Sequence, residues 1–155
     1  MTRSKYNVSS EKDQRMCDDI VFDSQVEMRF YRDFVIPKFN NGEITHYELQ
    51  KPYVLQPPFS HNGSKIKPIT YVADFYIEWA DGSSEVIDIK GFPDSVSKIK
   101  RKMMWYMYPD VKFNWYTYSK IDGGFCTYEY VSQQRKIRKR KRKEAKKNVK
   151  KDGLE

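Results

Sequence analysis

The sequence is short of histidine and cysteine: His46, His61, Cys17 and Cys126 are the only ones in 155 residues. None stand at zinc-ligand spacing, so neither a zinc site nor a nuclease of the His-Asn-His kind has the ligands it needs. Two unclustered thiols suit a reducing compartment, where they need not pair. The chain also lacks any apolar run long enough to cross a bilayer as a helix, and its first residues, MTRSKYNVSSEKDQ, hold no apolar stretch of the signal-peptide kind. Cytoplasmic residence without a membrane partner is the expectation. Neither GxxxxGK[ST] nor GxGxxG occurs, which removes local support for binding a nucleoside triphosphate or a dinucleotide.

Aromatic side chains, by contrast, are plentiful. The 9 Phe, 12 Tyr and 3 Trp suffice to build one core at this length, and a wholly disordered chain is excluded. Charge is unevenly placed: the formal net charge is +8, but 12 of the 29 basic residues lie between Arg135 and Lys151. The first 134 residues hold 17 basic and 18 acidic side chains and are nearly neutral.

Residues 1–20 are polar and without period, which predicts an extended or weakly ordered arm. FDSQVEMRFYRDFVIPKF (22–39) brings Val26, Phe30, Tyr31 and Phe34 to one side at helical spacing, with Ser24 as N-cap and Pro37 as the stop. ITHYELQKPYVLQ predicts one or two strands interrupted at Pro52, and 57–68 a loop. ITYVADFYIEW (69–79) alternates, with Tyr71, Ala73, Phe75, Ile77 and Trp79 on one face; Asp81-Gly82 is a hairpin turn and SSEVIDIKG the returning strand. Val96, Ile99, Met103 and Met107 then recur at helical spacing up to Pro109, before a strand in 111–120 and a short partner after Asp122-Gly123. This order predicts an α+β or α/β domain around a mixed sheet. From Gln133 onward no continuous apolar stripe forms, and the basic tail is expected to be disordered or a fluctuating helix.

Acids are oddly placed in the two hairpin strands. Asp74 lies mid-strand, Asp88 and Lys90 share one side of the next strand, and pairing through the turn can bring Asp74 close to Asp88. Two neighbouring carboxylates repel, and a hard divalent cation, Mg²⁺ or Mn²⁺, removes that penalty; the Lys90 ammonium can hold a water or stabilise a phosphate. On the helix wheel Glu27 falls within the apolar arc and points to the core. Ser24-x-x-Glu27 is equally a capping box, and Asp88-x-Lys90 equally an edge-strand ion pair.

In combination these residues resemble the PD-(D/E)xK nuclease superfamily: a helix bearing Glu27, then Asp74, then Asp88-Ile89-Lys90 after 13 intervening residues. More closely, FDSQVEMRFYRDF, ITHYELQKPYVLQ, ITYVADFYIEW, EVIDIKGF and KRKMMWYMYPDVKF resemble in order a small bacteriophage endonuclease-like family, of the endonuclease I or Holliday-junction-resolvase kind. The resemblance covers about residues 5 to 118, with Lys5-Tyr6-Asn7 matching the family's start. Ala73 stands where the superfamily often has proline, and Asp88 where it often has glutamate.

The resemblance implies a restriction-endonuclease-like core, a central mixed sheet flanked by helices, in residues 21–132 between the arm and the tail at 133–155. Asp74, Asp88 and Glu27 would hold Mg²⁺ or Mn²⁺, Lys90 would position the water that attacks a DNA phosphodiester, and Gln50 would support the site or serve as a plain strand residue. It further implies branched or junction DNA as substrate, a homodimer, and the host cytoplasm if the gene is a phage's. Lys98, Lys100, Arg101 and Lys102 are expected along the DNA backbone. The tail residues Arg135, Lys136, Arg138, Lys139, Arg140, Lys141, Arg142 and Lys143 are expected to neutralise phosphates, with a solubilising run, a localisation signal or an RNA-binding extension as their other readings. Trp115, Tyr116 and Tyr118 read as sheet packing rather than a base-stacking platform. The rival functional class is a nucleic-acid-binding protein that keeps a nuclease-like fold without catalysis.

Overall fold

The computed structural model describes the backbone of residues 11–152 and the side chains of 11–148. Part of the expected arm, and the family-start residues Lys5, Tyr6 and Asn7, lie outside them. Within the arm a 3₁₀ turn (Lys12–Arg15) leads into a two-stranded ribbon, β1 (Met16–Cys17) and β2 (Ile20–Val21). The extended-arm expectation is thus corrected from residue 12 on. Phe22, immediately after the ribbon, is buried against Tyr31 and ties it to the core.

The first helical segment runs through Pro37 rather than stopping there. It comprises α1 (Gln25–Phe30), a π turn (Tyr31–Val35) and α2 (Ile36–Asn40). Proline removes its own N–H and crowds the carbonyl four residues back. The wider π turn, in which the Ile36 N–H bonds to the Tyr31 carbonyl, relieves that crowding.

A five-stranded mixed sheet forms the centre, in the order β3 (Ile44–Gln56), β6 (Ile69–Trp79), β7 (Ser84–Ile89), β8 (Phe113–Ser119), β9 (Gly124–Thr127). The β7–β8 pair is parallel and the others are antiparallel. A parallel pair needs a crossover, and α3 (Ser95–Met107) supplies it. The expected mixed α and β fold, a central mixed sheet flanked by helices, is what the chain adopts. Pro52 does not interrupt β3, because β3 is an edge strand where a missing donor costs no ladder bond. Residues 57–68 hold a hairpin instead of a loop, β4 (Phe59–His61) and β5 (Ser64–Ile66). Its turn is Asn62-Gly63, both residues at positive φ, and that dipeptide was the legible signal.

The sheet separates two apolar clusters. Phe30, Tyr31 and Val35 meet Phe75, Ile77, Ile87 and Ile89 on one side; Met104 meets Tyr71, Ala73, Val86, Phe113 and Trp115 on the other. Tyr71 and Ala73 therefore serve one cluster while Phe75 and Ile77, of the same parity, serve the other. The single-face alternation expected for β6 is broken, and the strand turns about Asp74.

The tail is also corrected. α4 (Tyr128–Asp152) is one continuous helix that starts five residues before Gln133. An isolated basic segment has no reason to pay the nucleation cost of a helix, but this one begins inside the domain. Val131 is fully buried, the Tyr128 ring meets Trp115 edge-on, and Glu129 pairs with Arg101 of α3.

Candidate metal centre

The sheet opens where the acids lie. The β6–β7 ladder stops at the Phe75–Ile87 pair. Beyond it the Ile89 N–H finds no backbone carbonyl of β6 and donates instead to Asp74 Oδ2 at 2.8 Å. Across the other neighbour of β6, Gln50 stands between the paired positions Leu49–Phe75 and Lys51–Ala73. Its φ is +53°, a left-handed conformation inside an otherwise extended strand, and its amide donates a long 3.5 Å bond to Asp74 Oδ1. Such backbone is disfavoured by about 1–2 kcal/mol for a residue with a Cβ. Strain of this kind concentrates where a side chain must be aimed.

Asp88, 2% exposed, lies one residue before the end of β7. The Lys90 Nζ sits 2.8 Å from Asp88 Oδ2. This ammonium is the partner of the buried Asp88 Oδ2. Burial, then the neighbouring Asp88 charge, push the Tyr71 phenol up, and its hydroxyl accepts from Trp115 Nε1 at 3.4 Å. Sequence reasoning missed this Trp115–Tyr71 support, since it depends on β8 and β6 converging beneath the site.

Glu27 arrives from α1. Ser24 Oγ accepts from the Glu27 N–H at 3.2 Å and donates to Glu27 Oε1 at 2.9 Å. The cap and the inward-pointing carboxylate, which read as alternatives in the sequence, coexist. Glu27 Oε2 is buried with no hydrogen-bond partner.

Electrostatics bind the three acids together. Burial, then Asp88, then Glu27 push Asp74 well above the usual carboxylate range, against the lowering effect of the Ile89 N–H and Lys90. Burial pushes Glu27 up to about 7; the Ser24 hydrogen bond opposes this, and Asp23 and Asp88 add to it. For Lys90, burial pulls down, but Asp88, Asp74 and Glu27 outweigh it and hold the ammonium charged above its ordinary range. Lys90 is therefore a donor and a fixed positive charge rather than a base.

Among the described residues no group of three or more His, Cys, Asp or Glu is drawn together closely enough to hold an ion. Each acid is turned to its own partner: Glu27 to Ser24, Asp74 to the Ile89 N–H and Gln50, Asp88 to Lys90. The donor chemistry nevertheless fits a hard cation. The buried Glu27 Oε2 lacks a hydrogen-bond partner, Asp88 Oδ2 has the Lys90 ammonium alone beside it, and all the candidate ligands are oxygens of the kind Mg²⁺ and Mn²⁺ take.

The expected DNA contacts divide. Lys98 and Lys102 are exposed on α3. Lys100 and Arg101 are engaged within the fold: Lys100 Nζ donates to the Thr70 carbonyl at 2.9 Å, and the Arg101 guanidinium, paired with Glu129, lies 4.4 and 4.2 Å from the Trp105 and Trp115 ring centres. Both are turned into the fold because the helix presents that side to the sheet. On α4, Arg138 makes a two-pronged pair with Asp122 at 2.6 and 2.9 Å, and this partner, with Ser119, holds the Asp122 carboxyl down to about 2. Arg135, Lys136, Lys139, Arg140, Lys141, Arg142 and Lys143 are exposed. Arg135, Arg138, Lys139 and Arg142 border a groove of about 390 Å³.

Fold and site together define an α+β protein with a buried acid cluster at the open end of a strand pair. Residues 3–122 match the family described as "Protein of unknown function (DUF1064)", and the chain belongs to that family. The match spans Glu27, Gln50, Asp74, Asp88 and Lys90 and ends at Asp122, before α4. No curated protein matches the chain. No helix among the described residues is long and apolar enough to cross a membrane.

Proposed function

We propose that the chain is a divalent-metal-dependent DNA endonuclease that hydrolyses phosphodiester bonds, the activity implied by its resemblance to PD-(D/E)xK nucleases. The observation that carries this reading is the burial of Glu27, Asp74 and Asp88 within one another's electrostatic reach, with Glu27 Oε2 left without a hydrogen-bond partner and a charged Lys90 beside Asp88. Asp74, Asp88 and Glu27 would hold the ion. When bound, Mg²⁺ or Mn²⁺ supplies charge neutralisation at the phosphate and a more acidic water.

The remaining work falls to the protein. The Ile89 N–H and Gln50 orient Asp74 from two sides. Tyr71, backed by Trp115, lies beside Asp88 and closes the apolar side of the site. Lys90 stays protonated and offers its ammonium to the attacking oxygen or to a phosphate oxygen as charge develops. The exposed cations of α4, with Lys98 and Lys102, bind the nucleic-acid backbone with little regard to sequence.

Incubating supercoiled and four-way-junction DNA with the protein, Mg²⁺ or Mn²⁺, and a chelator control tests the reading. Metal-dependent nicking that disappears in Asp88→Asn supports it, and cutting that survives this substitution removes the site from the reaction. Tight DNA binding by wild type with no cutting under either metal leaves the rival reading, a non-catalytic nucleic-acid-binding protein, which the length of the basic helix favours.

A further inference from the structure

Strands β3 and β6 run on past the acid cluster and carry the β4–β5 hairpin at their far end. From Asp74 back to Ile69 is about 17 Å of extended chain, and the hairpin adds roughly 10 Å more. It stands clear of the sheet: every residue from 57 to 69 is exposed. Two strands without a layer to cover them are marginal in water. The Asn62-Gly63 turn and the cross-strand pair Phe59–Ile66, 48% and 37% exposed, are what hold this one.

The hairpin's polar side chains have no task inside the fold. Ser60, His61, Asn62, Ser64, Lys65 and Lys67 make no side-chain hydrogen bond or ion pair among the described residues. Charge here is of one sign. Between Glu48 and Asp74 the chain holds no acid, but it holds Lys51, Lys65 and Lys67. Lys51 pairs with Glu48, so the free positive charge of the ribbon sits on the hairpin. At the root, Lys102 of α3 borders one groove with Gln56 and Pro57, which carries the basic surface onto the helix. Back toward the acids, the outward side of the ribbon shows Pro52, Val54 and Val72, exposed and uncharged.

We propose that the β4–β5 hairpin is an arm that enters the major groove of duplex DNA to one side of the acid cluster, with Lys65 and Lys67 on the phosphates of the groove wall. The inference rests on the proposed function in taking DNA as the substrate, and it adds which form of DNA and which element grips it. Shape favours a B-form duplex. Its major groove, ~12 Å wide, admits a two-stranded ribbon, whereas the major groove of A-form RNA is too narrow for side chains to read. Single strands are held on several aromatic rings, and the hairpin has one, Phe59. The tip suits a groove: Ser60 stands opposite Lys65 and His61 opposite Ser64, so hydrogen-bonding groups line both strands beside the turn. Reach agrees as well. The root of the hairpin lies ~17 Å from Asp74, about five base pairs at ~3.4 Å each, so one straight duplex spans both.

The test titrates the full chain, Lys65→Ala with Lys67→Ala, and Lys65→Arg with Lys67→Arg against duplex DNA, duplex RNA and single-stranded DNA, in chelator and over a range of salt. On duplex DNA the alanine pair is expected to bind about tenfold more weakly, with a log–log salt slope flatter by about 2, while the arginine pair keeps the wild-type slope. On RNA and single strands the three proteins are expected to behave alike. Both positions are exposed, so circular dichroism is expected to be unchanged. An unchanged slope on duplex DNA overturns the proposal. So does an equal loss on all three nucleic acids, which would make the hairpin a plain cationic patch, and so does a wild type that binds no DNA. Cleavage with Mg²⁺ or Mn²⁺ is scored separately. Hairpin-dependent duplex binding without any cutting upholds the arm and removes the endonuclease reading; cutting with a hairpin that makes no difference removes the arm alone.

Discussion

The acid cluster and helix α4 are two charged regions built on opposite principles. Glu27, Asp74 and Asp88 are few, buried and mutually repelling, and each is held by one or two specific partners. The cations of α4 are many and exposed, and apart from the Arg138–Asp122 clamp they are set by helix geometry rather than by particular neighbours. Position matters in the first region, because burial amplifies each charge and a fixed hydrogen bond decides where it points. Number would matter in the second under the proposed function, because phosphate binding adds up over contacts and is screened by salt. Single substitutions should therefore be drastic in one region and small in the other.

The largest contrast comes from Asp88→Asn, which is expected to lower cleavage by a factor on the order of 10³ while leaving the salt dependence of DNA binding unchanged. Single-turnover rates and binding titrations on the same preparation report both. Cutting the chain back to residue 134 is expected to do the reverse. If roughly five phosphate contacts are lost, the log–log salt slope flattens by about 4–5 and affinity falls by about 10²–10³ at low salt. An unchanged slope would take α4 out of the binding surface.

A smaller effect concerns pH. Glu27 is raised from an ordinary 4.5 to about 7 by burial, so the stability it contributes is fully present below 4.5 and is lost as pH rises through about 7. Without metal, wild-type melting temperature is expected to fall across that window, with Asp74 acting in the same direction. Glu27→Gln should flatten the fall, melting a few degrees higher than wild type at pH 8 and equally at pH 5. Added Mg²⁺ should steady the wild type at pH 8. The smallest effect is at Gln50: Gln50→Gly relieves the left-handed strain and leaves stability unchanged or raised by up to ~1 kcal/mol, the looser unfolded chain offsetting part of the gain. Cleavage is expected to fall about tenfold as Asp74 loses its amide donor. A variant both less stable and fully active would mean that Gln50 merely fills the strand.

Much of this was legible in the residues. β6 follows from alternation with its observed bounds, Ile69–Trp79, and the hairpin from Asp81-Gly82, because period and turn chemistry are local properties. Asp74, Asp88 and Lys90 stood out because charged residues interrupt strands that otherwise bury apolar ones. The orientation of α3 was not legible. Its stripe predicts one face inward, but the sheet offers Trp115 and the Thr70 carbonyl to Arg101 and Lys100, and these contacts lie far away in the sequence.

The sequence by itself determined the order of the central strands and helices, the mixed sheet, the near-neutral body with its basic extension, and which few acids are out of place. Tertiary structure alone decided that β6 turns at Asp74, that Gln50 is held left-handed opposite it, and that α4 is a helix anchored through Val131 and Asp122. The physical reason is range: turns, caps and periodicity act within a few residues, whereas burial, ladder ends and ion pairs are set by chain segments that meet only in the fold.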